Sequence, residues 1–198
     1  MRYTGPKWRI NRRENATVLG KSDKWKRRMS LPGQFAVLKK RPSDYAIQFR
    51  EKQKVKRTYG MTERQFVKFY TEALKSTGNT GVRLLQLLEM RLDNVVFKLG
   101  LAETRAQARQ FITHGHLLLN GKKHDIPSTI VKVGDEVELK EKIAKGQFFA
   151  IIQSEMKNYS APKWLSALVS GGKVVAEPTR EEIDSTIREK LIVELYSR

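Results

Sequence analysis

Arg105 and Arg109 stand four residues apart in Thr104-Arg105-Ala106-Gln107-Ala108-Arg109, a spacing that sets two guanidinium groups on one side of a helix. Thr104 and Gln107 have the spacing of a capping box, which predicts a helix opening at Thr104. The N–H groups left unpaired at such an opening attract phosphate, and guanidinium groups one turn apart can hold successive phosphates of a nucleic acid. The same spacing also suits a plain solvated helix face. Asp93 follows Arg91-Leu92 and offers either a carboxylate for acid–base work or an ion pair with a neighbouring arginine. Metal chemistry lacks its ligands, since there is no cysteine and the histidines are His114, His116 and His124. The first two flank a predicted helix stop and would not converge with the third on one ion, so no metal or cofactor is expected. His114, close to Arg109, suits RNA contact instead. Gly171-Gly172-Lys173 lacks the glycine spacing of a nucleotide-phosphate loop.

These groups need elements to position them. Gly100 ends one helix, and the helix opened by Thr104 turns Ala108, Phe111 and Ile112 inward before His114-Gly115 closes it. Leu117-Leu118-Leu119 predicts a strand, Asn120-Gly121 a type I′ turn, and Val131 to Leu139 a second β stretch turning at Gly134-Asp135. The reading is an α+β fold in which two helices pack on a small, mainly antiparallel sheet. Upstream, Ser43 caps a segment through Tyr45, Phe49 and Val55 whose other face carries Arg50, Lys52, Lys54, Lys56 and Arg57, and Gly60 ends it. Thr62-Glu63-Arg64-Gln65 forms another capping box, followed by the apolar stripe Phe66, Phe69, Tyr70, Ala73 and Leu74. After the turn Gly78-Asn79-Thr80-Gly81, a third helix carries Leu84, Leu85, Leu88, Leu92, Val95, Val96 and Leu99 on one face.

Charge narrows the class of partner. The 198 residues hold 39 Lys and Arg against 21 Asp and Glu, a net +18, and a polyanion is the usual reason for such an excess. Most of it lies early: residues 1–60 contain 18 Lys and Arg but 4 Asp and Glu. Residues 1–42 read as a basic arm broken by Gly5-Pro6, Gly20, Pro32-Gly33 and Pro42, with aromatic Tyr3, Trp8, Trp25 and Phe35 among the cations. Cations neutralise phosphates and aromatic rings stack on exposed bases, although a solubilising tail would also be basic. So little apolar surface predicts an arm that is mobile without RNA and ordered with it. Without cysteine, no disulfide scaffold or thiol nucleophile is available. No apolar run reaches the ~20 residues that span a bilayer, and the start lacks a signal-peptide pattern, so an intracellular protein without membrane contact is expected.

Met90 to Phe97, Thr104 to Gln110, His114-Gly115-His116 and Leu119-Asn120-Gly121 resemble the RNA-binding module of the ribosomal protein S-four family. Arg2 to Pro6, Arg12-Arg13-Glu14, Pro32-Gly33-Gln34, Arg50 to Val55, Tyr59-Gly60, Glu63 to Phe66, Gly78 to Gly81 and Leu191 to Arg198 resemble the bacterial and organellar members of that family outside the module. The resemblance implies an arm over 1–42, a helical domain over 43–90 completed by 178–198, and an inserted domain over 91–177. It implies a structural constituent of the small ribosomal subunit and no enzyme. Such a protein binds the 5′ domain of small-subunit rRNA and nucleates assembly. It meets ribosomal protein S-five at an interface affecting decoding accuracy and borders the path by which mRNA enters. Some relatives repress translation of their own operon. The setting is the ribosome, in a bacterial cytosol or an organelle, with no small-molecule substrate. Many relatives bind zinc through cysteines in the arm, which this chain lacks.

Candidate RNA contacts in the arm are Tyr3, Lys7, Arg12, Arg13, Arg27, Arg28, Lys39, Lys40 and Arg41. The helical region adds Arg50, Lys52, Lys54, Arg57, Tyr59, Arg64 and Asn79, and the module adds Arg91, Asn94, Thr104, Arg105, Arg109, His114 and Asn120. Ala161 to Pro178 resembles the family loosely, and no RNA contact is assigned there. Two rival classes remain. Pseudouridine synthases use an Asp after Arg-Leu, but in a large separate domain for which this chain has no room. A sequence-specific DNA binder would suit the charge, yet such proteins commonly dimerise, and no heptad stands out to do so.

Overall fold

The computed structural model describes residues 3–20, 23–27, 30–33, 41–155 and 159–197. The chain divides into two compact units, Met1–Leu84 with Ser185–Arg198, and Leu85–Asp184. Among the described residues no helix is long and apolar enough to cross a membrane.

The first unit contains α1 (Lys7–Glu14), a 3₁₀ turn (Asp23–Arg27), α2 (Asp44–Thr58), α3 (Glu63–Leu74), the start of α4 (Thr80–Glu89) and the last helix, α9 (Glu189–Tyr196). Local chemistry sets the starts. Ser43 accepts from the Ala46 N–H at 3.3 Å, and the Thr62 and Gln65 side chains each accept from the other's N–H at 3.4 Å. Phe66, Tyr70, Ala73, Val55 and Ile192 are buried, and Tyr196 of α9 stacks on Tyr70 with centroids 4.6 Å apart. The stripe on α3 is narrower than its sequence suggests, because Leu74 is 54% exposed.

The inward face of α2 departs further from expectation. Tyr45 is exposed, while Gln48, Lys52 and Gln53 are buried beside Val55. Polar groups can lie there because partners meet them. Gln48 Nε2 donates to Glu194 at 3.0 Å. Lys52 Nζ, Lys56 Nζ and the Tyr196 hydroxyl converge on Glu63 at 2.6, 2.8 and 2.9 Å. Lys52 Nζ also lies 5.0 Å from the Phe49 ring centroid and 5.5 Å from that of Tyr196.

The arm also holds more structure than its composition predicts. Asn11 is fully buried. It donates to the Leu19 carbonyl at 2.9 Å, and its own oxygen accepts from the Val18 and Leu19 N–H groups at 3.2 and 2.9 Å. Trp25, expected against a base, is buried and donates to Thr17 Oγ1 at 2.9 Å. Phe35 lies outside the described residues.

The second unit packs α5 (Leu92–Lys98), α6 (Arg105–Thr113), α7 (Glu141–Ala144) and α8 (Gln147–Glu155) with a sheet. Its strands are β1 (Leu117–Leu119), β2 (Lys122–His124), β3 (Glu136–Leu139), β4 (Leu165–Leu168) and β5 (Gly171–Val174). Every pairing is antiparallel, in the order β2-β1-β3-β5-β4. Asn120 and Gly121 have φ of 51° and 75°, as a type I′ turn requires, and Gly115 closes α6 with φ 66°. Leu92, Val95, Val96, Ile112, Val131, Val137, Ile152 and Trp164 form the core.

Two features of this unit differ from the sequence reading. The apolar run from Leu84 to Leu99 is two helices, because Arg91 is extended (φ −69°, ψ 138°) and bridges Ile130. The Leu92 and Asp93 N–H groups then donate to the carbonyls of Thr129 and Pro127 at 2.8 and 3.1 Å. The loosely matching segment supplies β4 and β5, which extend the sheet beyond the module. Of Val131 to Leu139, the stretch Glu136–Leu139 is strand.

Burial raises the Glu63 carboxyl, but the hydrogen bonds from Lys52, Lys56 and Tyr196 outweigh it and hold the pKa at about 2 against an ordinary 4.5. A depressed carboxyl stabilises the fold above its unfolded pKa and loses that contribution as pH falls from 4.5 toward 2. Because the side chain is 44% exposed, solvent screening reduces the effect to about 1 kcal/mol. Thermal melts of Glu63→Gln and wild type should differ by that amount near neutrality and converge through the acid window; a constant gap would contradict the pairing. Close packing generates a second expectation. A Cβ at Gly172 would meet Leu99 Cδ2 and lie 2.6 Å from the Ser166 carbonyl oxygen. Gly172→Ala should therefore cost about 1–3 kcal/mol in urea denaturation.

Candidate nucleic-acid interface

Asp93 lies at the start of α5 with its side chain 2% exposed. Arg91 grips it with two bonds, Nε to Oδ1 at 3.1 Å and Nη2 to Oδ2 at 2.8 Å. Arg109, arriving from α6, donates Nε and Nη2 to the same Oδ2 at 3.1 and 2.5 Å. The ion-pair reading of Asp93 therefore holds. Two guanidinium groups enclose the carboxylate.

Next to it, the Asn94 amide donates to the Glu89 carbonyl and carboxylate at 2.9 and 2.7 Å. Its oxygen accepts from Arg105 Nε at 2.7 Å, and the Arg105 guanidinium lies 4.6 Å from the Phe97 ring centroid. Both α6 arginines are thus set from beneath by α5, and neither is fully buried. Thr104 caps the helix, accepting from the Gln107 N–H at 3.3 Å. The reciprocal bond reaches one residue further back than in a standard box, with Gln107 accepting from the Glu103 N–H at 2.7 Å.

Around this pair, His114 is exposed and its ring lies edge-on to His116 at 5.7 Å. Burial lowers the His116 pKa, with His114 and Lys140 acting in the same direction, which favours a neutral ring. Asn120 pins the hairpin to β3: its oxygen accepts from the Glu136 N–H and its amide donates to Asp135, both at 2.9 Å. Two candidates from the sequence are corrected here. Arg91 is 2% exposed and Asn94 fully buried, so neither side chain presents a surface to RNA. Their bonds hold Asp93, Arg105 and Glu89 instead.

In the first unit the acids reassign most of the α2 cations. Arg50 and Arg57 pair with Glu14, Arg50 at 3.3 Å. Lys52 and Lys56 pair with Glu63. Lys54 Nζ bonds Glu51 at 3.3 Å and the Thr186 carbonyl at 2.5 Å. Burial pushes the Glu14 carboxyl up against the pull of Arg50, Arg57 and Arg13, and Glu51 adds to the rise. Tyr59 is 2% exposed and Lys52 8%, which corrects both as surface candidates. Asn79 caps α4, accepting from the Gly81 and Val82 N–H groups at 2.9 and 3.3 Å. Arg12 reaches the Ser30 and Leu31 carbonyls, with Nη2 2.7 Å from the former.

Lys7, Arg13, Arg27, Arg41, Arg64 and Tyr3 are exposed, while Arg28, Lys39 and Lys40 lie outside the described residues. Sequence reasoning missed Glu14, Glu63, Glu89 and Phe97 as organisers of the basic side chains. The available signal was the scarcity of acid among so many cations.

The ribosomal protein S4/S9 N-terminal domain model matches residues 2–89, and the S4 domain model matches residues 90–137. Curated relatives named small ribosomal subunit protein uS4 align along the whole chain. That of Clostridioides difficile is 50% identical over 206 residues, covering 100% of this chain and 99% of its own. Those of Herpetosiphon aurantiacus and Thermoanaerobacter pseudethanolicus are 47% and 48% identical, each again with 100% and 99% coverage. Identity at this level over the full length, together with the two domain matches, means that the chain belongs to the uS4 family of ribosomal proteins.

Proposed function

We propose that this chain is a structural protein of the small ribosomal subunit and binds the 5′ domain of its RNA. The family is structural and non-enzymatic, and Asp93 serves here as the centre of an ion-pair network with Arg91 and Arg109. One observation carries the RNA-binding reading. Arg105 at the capped opening of α6 and Arg109 one turn further along are fixed by Asn94, Phe97 and Asp93, so their geometry is set before any ligand arrives. Preorganised guanidinium groups lose less entropy when they bind phosphate. The exposed arm cations Lys7, Arg13, Arg27 and Arg41 add charge that draws a polyanion. Early binding that nucleates assembly, contact with ribosomal protein S-five that tunes accuracy, proximity to the path of mRNA and autoregulation of its operon are supported by the family resemblance.

Replacing Arg105 and Arg109 together with Ala should weaken binding to a 5′-domain transcript. Each charge-assisted contact contributes about 1.5–3 kcal/mol at best, and two lost phosphates should flatten the log–log salt dependence by about 1.5. Filter binding across a salt series reads both, with a DNA duplex as control. Unchanged affinity would return the pair to a solvated helix face, and equal affinity for the duplex would favour a DNA binder.

A further inference from the structure

The helix α1 has the sequence Lys-Trp-Arg-Ile-Asn-Arg-Arg-Glu, with four cations and one acid. It packs against α2, which carries Arg50, Lys52, Lys54, Lys56 and Arg57. Two helices of like sign repel, so their contact needs a group of opposite sign between them. Glu14 is that group. Its side chain is 0% exposed, and it bonds Arg50 at 3.3 Å and Arg57 more closely, while those side chains remain 38% and 28% exposed. Among the described arm residues, Asn11 bonds Val18 and Leu19, Arg12 bonds Ser30 and Leu31, and Trp25 bonds Thr17.

We infer that Glu14 is a positioning residue for RNA binding: it seats α1 on Arg50 and Arg57, so that the exposed Lys7, Arg9 and Arg13 are presented in a fixed array. Arg50 and Arg57, which stay 38% and 28% exposed, are held in place by the same contact. This rests on the RNA-binding reading above. It also opposes the expectation of an arm that is mobile without RNA.

Charge arithmetic and the latch predict opposite signs for Glu14→Gln. The substitution removes one negative charge and releases two guanidinium groups, which by electrostatics alone should strengthen RNA binding. If Glu14 seats the arm, affinity for the 5′-domain transcript should instead fall about five- to ten-fold through lost preorganisation. The salt slope should not decrease, because no phosphate contact is removed. Hydrogen exchange on the full-length, RNA-free protein gives a second readout. The α1 amides should be protected in the wild type and lose protection in Glu14→Gln, while those of α3 keep theirs. Equal α1 exchange in both proteins, or tighter RNA binding by the variant, would overturn the latch. A wild type that fails to bind the transcript would count against the RNA-binding reading, and the exchange data would still decide the latch.

Discussion

A buried carboxylate among many cations is the constraint on which the arrangement depends. Moving Asp93 out of water costs several kcal/mol, and a single partner seldom repays that. Here Arg91 supplies a bidentate grip and Arg109 a second guanidinium. The pairing joins the extended residue between α4 and α5 to the middle of α6. It holds α6 at a fixed orientation over α5. Asn94, Glu89 and Phe97 do the same for Arg105 one turn earlier.

The first unit applies the same economy of acid. Glu63 gathers Lys52, Lys56 and the Tyr196 hydroxyl, tying α2, α3 and α9 together. Glu51 gathers Lys54 and the Arg188 N–H. Each acid thus anchors cations that would otherwise repel, and net charge overstates how many basic side chains are available to a polyanion. Exposed basic side chains remain in the arm (Lys7, Arg9, Arg13), on α3 (Arg64, Lys68) and on β2 (Lys122, Lys123), among other places.

Local signals in the sequence were legible. The capping residues Ser43, Thr62 and Thr104, the Asn120-Gly121 turn and the Gly115 helix stop depend on neighbours a few residues away, and each forms as expected. Long-range partners were not. Leu84 to Leu99 reads as one helix because its apolar positions are continuous; the break comes from a bridge to Ile130 and carbonyls at Thr129 and Pro127. The buried polar face of α2 depends on Glu194 and Glu63, which lie on other helices. Strands β4 and β5 are short, and Gly171-Gly172 offers no apolar alternation. Trp25 looked like a base-stacking group because its intramolecular partner, Thr17, carries no sequence signature. At the candidate site the α6 arginines were legible from spacing, but what holds them was not, since it needed α5 in place.

The most direct measurement is a double-mutant cycle on Asp93 and Arg109, using urea denaturation of Asp93→Asn, Arg109→Ala and both together. If the carboxylate is held jointly by Arg91 and Arg109, the two changes should be strongly coupled, by about 1–3 kcal/mol. The double variant would then be more stable than the sum of the single losses predicts. Additivity within about 0.5 kcal/mol would mean that Arg109 contributes nothing to holding Asp93, and would contradict the claim that the fold's acids set the binding arginines.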